Sequence, residues 1–250
     1  MIVKQVYNNV SNKLEIPKEM LPECGIPHSH HFQGTPLDNL VELAGRVCYD
    51  SARGKKTRSS EAYHKHIIEV KHLSVQEHAN ITVQFDTKHL NYNDNDTIAI
   101  ATTTINRPGV YLLSDGSGNL QITANLRAIR EWNYFHNNMA PYDMQDQIGN
   151  IMKLWARCET PKVMFDYAFK PDEFCFVPNQ LIKPINDEQK WISFYFGEVS
   201  RGFSHELVRH KWHTAVSQRS TRYVDESESD WAWHPLLRKY EDEIIRYVQK

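Results

Sequence analysis

The chain has 250 residues, 40% of them apolar and 24% charged, the balance of an ordinary globular protein long enough to bury a core in one large or two small domains. A formal net charge of −2 excludes a global electrostatic attraction to nucleic acid or anionic membrane, so any anion site must be local. Cys24, Cys48, Cys158 and Cys175 form no CxxC pair, which argues against a disulfide scaffold or structural zinc. The opening residues hold no apolar signal core and no run reaches membrane-spanning length, so the expected location is cytoplasmic.

In chain order, residues 1–35 read as irregular, with prolines at 17, 22 and 27 and then the histidine-rich HSHHFQG. Leu37, Leu40, Leu43 and Val47 recur at helical spacing and predict a helix ending near Asp50. After the basic loop ARGKKTR, the stretch SEAYHKHIIEVKHL predicts a second helix capped by Ser59 or Ser60. ANITVQFDT alternates Ile81, Val83 and Phe85 with polar neighbours, as a half-buried strand does, and TIAIATTTI is β-branched enough for another strand. RPGVYLLSDGSGNLQITANL reads as a turn, a strand, a Gly-rich turn and a return into helix. ANLRAIREWNYFHNN and MQDQIGNIMKLWARC follow as helices, and DEFCFVPNQLIKPIND is irregular. KWISFYFGEV is a strand, and SRGFSHELVRHKW opens a helix after Gly197. WAWHPLLRKYEDEIIRYVQK is an amphipathic helix without a stop signal, as if cut short.

From Arg209 to Tyr223 the sequence RHKWHTAVSQRSTRY contains no acid. His205 and Arg209, Glu206 and Arg209, and Glu206 and His210 lie at helical offsets, and the plain reading of such a cluster is a solvated face on which Glu206 pairs Arg209. Its continuation differs. Thr214, Ser217, Ser220 and Thr221 with Arg219 and Arg222 are poor helix formers and are the side chains that hold a phosphate through charge-assisted hydrogen bonds. HLSVQEHA sets His72, Ser74, Glu77 and His78 at a helix-to-strand junction. The spacing fits no zinc signature, and capping of the element ends is the expected role. Cys24, His28, His30 and His31 lie in a Pro-punctuated loop that predicts unliganded imidazoles, so no metal site is expected. SDGSGN carries no dinucleotide fingerprint.

SRGFSHELVRHKW…SQRSTRYV resembles the signature of the flavin-dependent thymidylate synthases (ThyX): Arg-His-Arg, seven residues, then Ser, closing in Ser-x-Arg-Tyr. LAGRVCYDS and HLSVQEHANITVQF are similar to that family's segments in the same order, so the resemblance covers 40–86 and 192–235. It implies an α+β fold within one domain, 1–250, whose ThyX-like core of mixed sheet packed with helices spans about 36–86 and 190–250, interrupted by an inserted segment, 87–189. It further implies an enzyme that makes dTMP from dUMP with methylenetetrahydrofolate as one-carbon donor, FAD as cofactor and NADPH as reductant. The implied assembly is a homotetramer with sites shared between subunits, without nucleic-acid or membrane partners.

Position by position, the resemblance implies that FAD is held by Ser74, Arg209, His210, Lys211 and Gln218. Asn125 and Arg127 join them, because TANLRAIREWNYF is similar to the family's Asn-x-Arg helix. It implies that dUMP is held by Glu206, Leu207, Val208, Arg209, Gln218, Arg219, Ser220, Thr221 and Arg222. Arg209, Ser220 and Arg222 are the groups expected to carry the reaction, Ser220 as a ligand of the nucleotide and not as its attacker. The chain departs from the pattern at Lys211, where the family has Arg, and by having eight residues between Lys211 and Ser220. It departs again in the hundred or so residues between the two similar regions, and at His136, where the family has an Arg. Either the sequence is the first part of a longer, partly duplicated ThyX, or the insert has taken over the Asn-x-Arg helix. The alternatives in function are a catalytically silent nucleotide-binding half that completes a partner's site, and a nucleic-acid module on the 209–222 patch, which the net charge opposes.

Overall fold

Thr35 and Asp38 cap each other at the start of the first helix. The Thr35 backbone N–H and hydroxyl both donate to Asp38 Oδ2, at 3.0 and 2.7 Å, and the Asp38 N–H returns to Thr35 Oγ1 at 3.3 Å. With Pro36 at the first helical position, the sequence TPLD is a capping box that starts helix α1, Pro36–Tyr49, where the leucine spacing predicts it. In the computed structural model, the described residues are 2–9, 11–17, 21, 32–49, 58–86, 110–114, 119–128, 131, 187–210, 214–219 and 236–248.

Ser59 caps helix α2, Ser60–Glu69, by accepting the Ala62 N–H. The expected helix ran on through Leu73. It stops early because Lys71 turns left-handed at φ 58°, so that His72 N–H reaches Ile67 O at 2.9 Å and Lys71 N–H reaches Ile68 O at 3.1 Å. This is a Schellman closure built without glycine, which hid the stop in the sequence. A 3₁₀ turn, Leu73–His78, leads into strand β3, Asn80–Asp86, where alternation predicts it.

Residues 1–35 are not uniformly irregular. Strand β1, Ile2–Asn8, pairs antiparallel with β2, Lys13–Leu14, on one side and with β6, Ile192–Gly197, on the other. A register shift between Gln5 and Tyr7 buries both Val6 and Tyr7, which breaks the period-two pattern that would have revealed the strand. Strand β4, Val110–Ser114, and strand β5, Asn119–Asn125, form a second antiparallel sheet in the order β3-β5-β4. The expected return into helix after the Gly-rich turn is therefore a strand first. β5 is central, so Gln121, Thr123 and Ala124 are all buried and the alternation is blurred. Helix begins only at Leu126, within the predicted 124–138 segment. The predicted strand 97–105 and helix 144–158 lie outside the described residues.

The two sheets are linked by Gln189, which is fully buried. Its Nε2 donates to Gln121 Oε1 at 2.8 Å, and its carbonyl accepts Asn9 Nδ2 at 2.8 Å. Ser200 caps the short helix α3, Arg201–Leu207, and the last helix among the described residues, α4, Glu241–Val248, follows a turn and a 3₁₀ segment at 236–240, so the predicted 231–250 helix is interrupted there. Pro235, which cannot sit inside a helix, lies upstream of its start. Among the described residues the architecture is mixed α+β with two small antiparallel sheets. Among the described residues no helix is long and apolar enough to cross a membrane.

The core gathers on α1, where every residue from 37 to 46 except Asn39 is buried. Arg46 and Glu42 are buried together: Arg46 Nε donates to Glu42 Oε1 at 2.7 Å, Arg46 Nη2 to the Arg58 carbonyl at 2.9 Å, and the guanidinium lies 4.7 Å from the Tyr63 ring centroid. Gly45 leaves room for that ring, since a Cβ there would stand 1.7 Å from Tyr63 Oη.

Candidate functional site

The predicted anion loop is brought to the predicted junction. Residues 214–219 have no regular secondary structure, and contacts from three other elements help to hold them. His78 Nε2, at the end of the Leu73–His78 turn, lies 2.9 Å from Ser217 Oγ. Cys48, in the last turn of α1, receives a hydrogen bond from the backbone of Gln218. Arg201, at the start of α3, donates from Nη1 to the Arg219 carbonyl at 2.8 Å. None of these contacts was foreseen from sequence, because each joins residues distant along the chain through a side chain with no motif of its own.

The electrostatics follow from burial. Crowding by protein atoms pushes the His78 pKa down to about 4, so the imidazole is neutral at neutral pH. Burial pushes the Cys48 thiol up, and the Gln218 hydrogen bond draws it part of the way back. The capping role expected for the junction does not hold for its histidines. His72 makes no side-chain capping bond, and the His78 ring reaches across to the loop. Ser74 lies exposed on the same turn.

The helical part of the cluster follows the plain reading. Arg209 Nη1 pairs with Glu206 Oε1 at 2.8 Å, with both side chains about two-thirds or more exposed, at 71% and 67%. His210 is exposed and Leu207 and Val208 are half-buried, all just at or beyond the end of α3. The helix was expected to reach Trp212. It tightens instead, with Arg209 N–H bonded to Glu206 O and His210 N–H to Leu207 O, and the Thr214 hydroxyl bonds the His210 carbonyl at 2.5 Å.

On the opposite flank of the junction, Asn125 is buried and its Oδ1 accepts the Ala128 N–H at 2.8 Å, which caps the turn that follows β5. Arg127 holds two carboxylates, Glu77 at 2.5 Å and Glu131 at 2.8 Å. Lys211, Ser220, Thr221 and Arg222, with His136, lie outside the described residues, as do Cys24, His28, His30 and His31. The structure thus brings Ser217 to the junction that carries Ser74, sets Gln218 against the end of α1 and Arg219 against the start of α3, and leaves Arg209 and His210 exposed.

What this arrangement offers is a set of donors. A carboxamide at 218 and a half-buried guanidinium at 219 stand in a stretch without a carboxylate of its own, which suits a phosphorylated ligand, while the hydroxyls at 214 and 217 already bond His210 and His78.

The family model described as thymidylate synthase complementing protein matches residues 33–91 and 188–249. A protein of Mycobacterium avium named flavin-dependent thymidylate synthase is 46% identical over 66 residues, 26% of either chain. One of the same name from Corynebacterium glutamicum is 48% identical over 64 residues, 25% of either chain, and one from Mycobacteroides abscessus is 53% identical over 45 residues, 17% of this chain and 18% of its own. The chain spans about a quarter of the length of the first two of these relatives. No solved structure matches. The loop at 214–219, the turn at 73–78 that seats it and the end of α1 all fall inside the two matched segments, which together hold just under half of the chain, and there the chain is similar to the thymidylate synthase complementing protein family.

Proposed function

We propose that the chain is an FAD-dependent thymidylate synthase that converts dUMP to dTMP, with methylenetetrahydrofolate as one-carbon donor and NADPH as reductant. The observation that carries this reading is the seating of the 214–219 loop on the Ser74 junction by His78, Cys48 and Arg201. A loop already fixed in place loses little further freedom when an anion binds, and so binds it more tightly.

In this reading Ser220, Thr221 and Arg222 continue that loop around the dUMP phosphate, together with Gln218 and Arg219, while Glu206, Leu207, Val208 and Arg209 line the nucleotide. Arg209, Ser220 and Arg222 are the reacting-site groups, with Ser220 a ligand. Ser74, Arg209, His210, Lys211 and Gln218 would hold FAD. The donor set fits a flavin dinucleotide, whose phosphates are again anions, and when bound FAD supplies the redox chemistry that no side chain here provides. Arg209 is suited to this exchange, because a pair as exposed as the one it makes with Glu206 is worth about 1 kcal/mol or less and yields readily to a better anion. Asn125 and Arg127 complete the flavin set, Arg127 sharing its guanidinium between Glu77, Glu131 and the cofactor.

The ThyX-like core would comprise 36–86 and 190–250, with 87–189 the inserted segment. The homotetramer would draw on exposed apolar side chains, and Ile192, Phe194, Phe196 and Phe203 supply them on β6 and α3.

The test is direct. Purified protein incubated with FAD and desalted should retain flavin absorbance, and reduced flavin on it should be oxidised in a dUMP-dependent manner with methylenetetrahydrofolate present. Absence of both would end this reading. Arg222→Ala should weaken dUMP binding by about 1.5–3 kcal/mol, the worth of a hydrogen bond to a charged group; unchanged affinity would remove Arg222 from the site.

A further inference from the structure

The loop takes its position from the turn. The turn itself is well fixed: Val75, Gln76 and Ala79 are at most 2% exposed, β3 continues it into a sheet, and Arg127 grips Glu77, the neighbour of His78. Of the contacts made to the loop by Cys48, Arg201 and His78, the first two reach its backbone, at Gln218 and at the Arg219 carbonyl, and do not depend on a loop side chain. The third, between His78 Nε2 and Ser217 Oγ, is a bond between two side chains 139 residues apart. A neutral imidazole offers one donor and one acceptor nitrogen, so Nε2 can bond the hydroxyl in either tautomer.

We infer that His78 is a positioning residue for the nucleotide: by fixing the Ser217 hydroxyl it seats residues 214–219, and with them Gln218 and Arg219, in the arrangement that receives the phosphate. His78 acts through Ser217 and does not itself touch the anion. The inference rests on the proposal that this loop takes dUMP, and its test separates the two.

The experiment titrates dUMP into the FAD-loaded protein as wild type, His78→Leu, His78→Gln, Ser217→Ala and the His78→Leu/Ser217→Ala double variant, and measures amide hydrogen exchange of residues 214–219 without ligand. His78→Leu and Ser217→Ala should each weaken dUMP binding roughly three- to tenfold, the range of one net hydrogen bond. The double variant should be no weaker than the worse single one, because both remove the same contact. In His78→Leu and Ser217→Ala the KM for dUMP should rise while kcat is kept, and His78→Gln, which keeps a polar amide near the Nε2 position, should recover most of the loss. Exchange at Gln218 and Arg219 should speed up in His78→Leu and in Ser217→Ala alike.

Losses that add in the double variant, or unchanged exchange in the loop, overturn the inference. Wild type that binds no dUMP overturns the proposed function instead, and the exchange measurement still decides the role of His78. If His78→Leu does not fold, Ser217→Ala carries the same exchange readout, and normal protection in that variant overturns the inference.

Discussion

Two arginine–glutamate pairs in this chain have nearly the same geometry and opposite surroundings. Arg46 and Glu42 meet at 2.7 Å with 1% and 0% of their side chains exposed, while Arg209 and Glu206 meet at 2.8 Å with 71% and 67% exposed. In the first, both charges have left water, and each is tolerable only because the other is there. The Arg58 carbonyl and the Tyr63 ring take up more of the guanidinium. In the second, water solvates either partner as well as the other does, and the bond contributes little. Distance alone does not distinguish a structural pair from one free to exchange partners. Burial does, and it assigns Arg46 to the core and leaves Arg209 available to a ligand.

The strongest way to break that contrast is to remove one partner from each pair. Glu42→Ala should cost about 3–5 kcal/mol in chemical denaturation, because it strands a buried guanidinium. A loss under 1 kcal/mol would mean that water reaches Arg46. The same region should answer to pH. His64 is fully buried, and among the described residues neither ring nitrogen has a hydrogen-bond partner. Burial pushes its pKa down to about 4 from 6.5, with Glu42 opposing and Arg46 adding. The unfolded chain therefore binds more protons than the native one between those values. Stability is complete above pH 6.5, falls as pH drops towards 4, and levels off below. His64 contributes up to roughly 3 kcal/mol of that fall, and His78 adds in the same direction. His64→Leu should flatten the stability–pH curve, and an unchanged slope would remove His64 as its source.

Gly45→Ala sharpens the contrast sterically. The added methyl has to displace the Tyr63 hydroxyl that lies 1.7 Å from its position, and about 1–3 kcal/mol should be lost. Smallest of all, Glu206→Ala should move stability by less than about 1 kcal/mol. If Glu206→Ala proves as damaging as Glu42→Ala, the solvent-side pair has a partner surface that keeps it dry.

How much of this was legible depended on whether the signal was local. Leucine spacing found α1, helical pattern with a cap serine found α2, alternation found β3 and an aromatic-rich run found β6, each from neighbouring residues. β1 was missed because a register shift puts Val6 and Tyr7 both inside, and its partner β6 lies nearly the whole chain away. The stop of α2 was missed because a lysine, rather than glycine, takes the left-handed position. In the site, the loop's donors were visible as a stretch free of acids, and the Glu206–Arg209 pair followed from helical offsets. What fixes the loop was invisible: the contacts from His78, Cys48 and Arg201 depend on tertiary proximity, and nothing in HLSVQEH indicates that the last histidine reaches to residue 217.

The middle strand β5 has a practical consequence for anyone trimming the molecule. It comes from the stretch that separates the two family matches, yet it zips against β3 over seven consecutive residue pairs, from Asn80 with Asn125 to Asp86 with Asn119. A shortened gene that spliced residue 91 to residue 188 would strip that edge of its neighbour, and the bared backbone would recruit other chains, giving inclusion bodies where a minimal enzyme was intended.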